Sequence, residues 1–148
     1  MQSMQEVVTD PARRADVVRA TESLIDTEVA SQGGLTGMAI KGGYKVVKKL
    51  QGGRMIPAVV DGLLDEFVGA IEPLHAQHRE NPTGSFGSYL QSHSGAAANA
   101  LLGITDARAQ RTSNNVLKKT YGKLRPFGEK NVKSALPGVG NLIDRFCA

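Results

Sequence analysis

Apolar residues recur three or four positions apart along nearly the whole of this 148-residue chain, and the every-second-residue alternation of a half-buried strand is almost absent. That pattern confines the fold to the all-α class. Helices with one apolar stripe must bury it against each other, so the expected architecture is a compact bundle of six or seven helices in one domain, 1–148. Apolar residues make up 41% and charged ones 22%, which separates the chain from disordered sequences.

Glycine and proline divide the pattern into segments. Asp10 is placed to cap a helix with Pro11 at its first position; Val18, Thr21, Ile25 and Val29 share one face, and Gly33-Gly34 ends it. A second helix runs from Thr36 to about Leu50 and stops at Gly52-Gly53. A third begins near Met55, with Pro57 in its first turn. Its stripe is Val59, Val60, Leu63, Leu64, Phe67, Val68 and Ile71, leaving Asp61, Asp65 and Glu72 outside. Pro73 is expected to kink or end it.

"NPTGS" reads as a loop, and the spacing then predicts one helix from about Ser85 to Ile104. Its stripe is Phe86, Leu90, His93, Ala97, Leu101 and Ile104, and residues 81–105 contain no Asp, Glu, Lys or Arg. A helix without a charged face is expected at the centre of the bundle, with an oligomer interface as the competing explanation. A basic helix over 113–125 follows, then two short pieces, 127–136 and 138–146, divided by Pro137-Gly138.

Shifting the chain by 77 residues superposes Thr36 on Ser113, Lys41 on Lys118, Tyr44 on Tyr121 and Lys48 on Arg125. A further slip brings "LLDEF" onto "LIDRF". Two readings stand open: a tandem duplication of a three-helix unit (10–72 and 85–146), or two amphipathic helices with similar solutions.

Net charge is +4, laid out in blocks. Residues 1–28 hold six acids against three bases, residues 29–60 five bases and no acid, and residues 61–80 five acids against one base. Residues 106–134 are again basic. Such blocks either fold against one another or leave a cationic surface.

The sharpest local candidate is "MAIKGGYKVVKKLQGG", residues 38–53. It is not a phosphate loop, because Gly43 and Tyr44 replace the loop's lysine and hydroxyl residue and no strand precedes it. "PGVGN" lacks the third glycine of a dinucleotide fingerprint. On a helical wheel Lys41, Lys45, Lys48 and Lys49 fall within about 100° of one another, with Val46, Val47 and Leu50 on the other half and Tyr44 at the border. Lys118, Tyr121 and Arg125 repeat the arrangement. Those eight residues are either a solvated face screened by the acidic helices or an anion-binding surface for nucleic acid, lipid headgroups or an acidic protein.

Catalytic and metal signals are weak. "EPLHAQH" spaces Glu72, His75 and His78 three apart, but a di-iron centre needs a second Glu-x-x-His that the chain lacks. His75, His78 and His93 remain weak zinc candidates. The bland expectation is a partly wet helix end for the first two and a core position for His93. Cys147, the single cysteine, is the penultimate residue and is expected at a frayed terminus. "GSFGSYLQSHSG" has no nucleophile elbow. No cofactor and no enzyme class is expected. No secretory signal, no 18-residue apolar window and no disulfide partner are present, so a cytoplasmic location is expected.

At "GGLTGMAIKGGYKVVKKL", "SFGSYL", "ALLGITDARA", "LKKTYGKLRPF" and "ALPGVGNLIDR" the chain resembles a family of small actinobacterial proteins of unknown function, over nearly its whole length. The resemblance implies a cytoplasmic, single-domain actinobacterial protein and carries over no activity, cofactor or catalytic residue. The leading expectation is a non-enzymatic interaction protein, self-association included. The second is a binder of an anionic partner through the two basic helices, and the third a small-molecule or metal binder.

Overall fold

The computed structural model describes residues 2–148 and is all-α. Six helices of ten residues or more carry the fold: α2 (Pro11–Ala30), α3 (Gly34–Gly53), α4 (Met55–Glu80), α6 (Ser94–Arg111), α7 (Asn115–Leu124) and α8 (Gly128–Cys147). Two short helices, α1 (Met4–Thr9) and α5 (Phe86–Ser92), and a 3-10 turn over Arg125–Phe127 complete it.

The caps explain the boundaries. Asp10 accepts from the Ala12 amide at 3.0 Å with Pro11 in the first turn, as its position predicts. The regular part of α3 stops at Lys49, because Gln51 and Gly52 take left-handed angles (φ 55° and 66°) before α4 starts. The unforeseen α1 is closed by a capping box in which the Ser3 hydroxyl accepts from the Glu6 amide and the Glu6 carboxylate accepts from the Ser3 amide. It buries Met4, Val7 and Val8.

Neither proline breaks its helix. α4 continues through Pro73 and α8 through Pro137. Both rings lie on the exposed side, where a carbonyl deprived of its helical donor meets water. Both flanks are pinned inside: Ile71 and His75 around the first proline, Leu136 and Gly140 around the second. Burial outweighs the local preference.

The expected central helix is in fact two. The backbone at His93 leaves the helical region (φ −115°, ψ 32°), so α5 ends there and α6 starts in a new direction. The break carries His93 to the surface rather than into the core. α6 is not surrounded, since Gly95, Ala96, Asn99 and Gly103 are exposed. The middle of the bundle belongs to α4, which touches α1, α2, α3, α5 and α6, and to α8, which touches α1, α2, α5 and α6.

The tightest crossing joins α5 to α8. A Cβ on Gly140 would lie 2.3 Å from the Gly87 Cα, and one on Gly87 would lie 2.8 Å from the Pro137 carbonyl oxygen. Paired glycines let two backbones touch, and the Asp144 carboxylate accepts from the Phe86 amide at 3.1 Å beside them.

The 77-residue shift sets α2, α3 and α4 against α6, α7 and α8. α2 packs on α4 as α6 packs on α8; α2 also meets α8 as α4 meets α6, and α3 lies against α7. The correspondence is incomplete, because α3 also packs on α4 whereas α7 has no comparable packing on α8.

Candidate functional site

The apolar face of α2 is not filled by neighbours. Only Val17 of this 20-residue helix is fully buried, while Leu24, Ile25 and Val29 are half-buried. They face a partly open cavity of about 500 Å³ inside the bundle, to which every helix except α5 contributes. Leu64, Phe67, Val68 and Ile71 of α4 and Val132, Ala135, Val139, Leu142 and Ile143 of α8 form much of the wall. That wall is almost wholly apolar.

Interiors normally pack with few voids larger than a water molecule. The volume lies within the range of ligand pockets.

Two polar groupings interrupt the wall. One is Glu72 with His75. Arg79 donates to one Glu72 oxygen and, through Nη1, to His75 Nδ1 at 2.6 Å, which places the neutral imidazole's proton on Nε2. The other Glu72 oxygen is buried without a hydrogen-bond partner. Burial, then the Arg79 charge, lowers the His75 pKa, so this histidine is neutral near pH 7. Glu72, expected outside the apolar stripe, belongs to the cavity wall.

The second grouping holds Thr105, Tyr121 and Arg125. Asp106 Oδ1 accepts from the Tyr121 hydroxyl at 2.6 Å and from Arg125 Nε at 2.7 Å. The same constellation recurs at Asp26, whose Oδ1 accepts from the Tyr44 hydroxyl at 2.6 Å and from Lys48 Nζ at 2.7 Å. Hydrogen bonds from these cationic partners, then from the tyrosines, hold both aspartates below their ordinary pKa. Burial and the adjacent carboxylate push Tyr121 up to about 12, and Tyr44 rises for the same reasons.

The eight basic-helix candidates thus divide. Tyr44, Lys48, Tyr121 and Arg125 are engaged by the two aspartates. Lys41, Lys45, Lys49 and Lys118 are exposed and form no ion pair with the described residues. Ile40 and Val47 are buried, so α3 presents the backs and fronts that its wheel predicts.

The histidines lie elsewhere than expected. His75 and His78 are 2% and 5% exposed, not at a wet helix end. They enter an aromatic chain in which His75 and His78 flank Phe86, and Tyr89 stacks on the exposed His93 at 4.3 Å. His78 Nε2 donates to the Gly84 carbonyl of the "NPTGS" loop at 3.1 Å. Among the described residues no three His, Cys, Asp or Glu side chains are grouped to hold a metal ion.

Cys147 is not frayed; it is 1% exposed in the last turn of α8. Burial pushes its pKa up to about 11, so the thiol stays protonated and shielded at neutral pH. Folded protein is expected to leave Ellman's reagent unreacted and to release one equivalent of thiol on denaturation. Rapid native-state labelling would show that the C-terminal turn is open.

Among the described residues no helix is long and apolar enough to cross a membrane. No curated protein and no solved structure matches this chain. The chain belongs to a family of unknown function (DUF6918), whose model matches residues 4–147.

Proposed function

We propose that this member of the DUF6918 family is a non-enzymatic binding protein that encloses an elongated apolar molecule, an acyl chain or a hydrocarbon of similar bulk. The observation that carries this reading is the cavity of about 500 Å³ with its apolar wall. Aliphatic side chains offer such a ligand dispersion contact and release of water, and the two polar groupings can receive its polar end.

Titration with parinaric acid, a fluorescent fatty acid, is expected to saturate and to be displaced by oleate. Ligand at a hundredfold excess over Kd stabilises by about 2.7 kcal/mol, which for a chain of this length raises Tm by roughly 5–10 °C. Fluorescence that rises linearly without saturation, together with an unmoved Tm, would refute the reading.

A further inference from the structure

We propose that the outward face of α3 docks on an anionic lipid bilayer. Residues 35, 38, 42, 45 and 49 step by three and four along α3, so they share one side of the helix. The opposite side, with Ile40 and Val47, is buried in the bundle. On the outward side Leu35 is 86% exposed and Met38 70%, with Val46 half-exposed beside them. These are three of the four large hydrophobic residues left most exposed by the fold.

Lys41, Lys45 and Lys49 are interleaved with them on the same rod, and no acid occurs anywhere in residues 29–60. α7 adds a further cation, because Lys123 lines a shallow hollow with Gly42 and Val46. Lys48, by contrast, is turned to Asp26 and closes the inner flank. Exposed apolar tips followed by unpaired ammonium groups fit the boundary of an anionic membrane. There Leu35 and Met38 enter the acyl region while the lysine stems reach back to the phosphates.

Other occupants fit less well. A nucleic acid would use the lysines and leave Leu35 and Met38 against water or phosphate. A second copy would bring two lysine-bearing, acid-free faces together with no opposite charge between them. Charge complementarity selects the bilayer, and this inference stands whether or not the interior cavity holds a ligand.

The test is flotation with vesicles. The protein is expected to partition onto vesicles of phosphatidylglycerol and phosphatidylcholine, to do so less as salt rises, and to ignore pure phosphatidylcholine. Each lysine near such a surface contributes about fivefold in partitioning. The triple variant Lys41→Gln, Lys45→Gln, Lys49→Gln should therefore lose at least about tenfold, and Leu35→Ser with Met38→Ser should lose binding while salt sensitivity persists. All five positions are exposed, so folding should survive. Blocking the cavity with Ala135→Trp should leave vesicle binding unchanged, which separates failure here from failure of the cavity reading. Absence of partitioning onto anionic vesicles would overturn the proposal. So would binding to duplex DNA that the Leu35→Ser and Met38→Ser changes do not touch, or a parent dimer that those changes convert to monomer.

Discussion

Gly140→Ala is expected to lower Tm by roughly 10 °C, the largest effect of a single methyl group in this protein. The added carbon would lie 2.3 Å from both the Cα and the amide nitrogen of Gly87, and 2.7 Å from the Phe86 carbonyl carbon. Those are backbone atoms, so no side-chain rotation relieves the clash. α5 must move off α8, and α5 carries Phe86 and Leu90, both wholly buried. Overpacking of this kind costs about 3 kcal/mol or more. Gly103→Ala is the control, because a Cβ there meets nothing within 4 Å and the site is an exposed helix interior. It should gain about 0.5–1 kcal/mol. Calorimetry of the two variants decides the matter; a Gly140→Ala protein melting with the parent would show that the crossing is looser than described.

Ala135→Trp is expected to have the opposite character. In a close-packed core so large an insertion would destabilise by about 1–3 kcal/mol. Ala135 instead lines the cavity of about 500 Å³, where an indole replaces empty space with contacts. Tm should equal or exceed that of the parent, while parinaric acid affinity should fall at least about tenfold. A variant that melts several degrees lower and still binds would mean that the side chain does not enter the void. Stability and binding are thus predicted to move in opposite directions, which general damage to the fold would not produce.

The all-α class and most helix limits were legible because they depend on neighbours in sequence. Asp10-Pro11 and Gly52-Gly53 are local instructions, and the wheel of α3 separated the buried Ile40 and Val47 from exposed Lys41, Lys45 and Lys49. Readings failed where a local rule met tertiary packing. Pro73 and Pro137 should interrupt helices, yet each sits on a wet side between residues held in the core. His93 keeps the period of the preceding stripe, but the chain turns there and the period no longer says what it faces.

The candidate site was legible only in fragments. Tyr44 with Lys48 and Tyr121 with Arg125 stood out as repeated pairs, but Asp26 and Asp106, which bind them, lie 18 and 15 residues from the tyrosines. The apolar residues of α2 gave no sign that their shared face looks onto empty space rather than side chains, since hydrophobicity records a demand for burial and not how completely it is met.

What the sequence alone determined, then, is a set of rods: their class, most of their ends, and which flank of α3 is greasy and which cationic. Spacing and caps act over one or two turns and need no partner. Only the tertiary structure decided that α4 and α8 hold the centre, that Glu72 and His75 go inside, and that the rods leave a partly open apolar hollow between them. Volume left between helices is a property of how they cross, and no single segment encodes it.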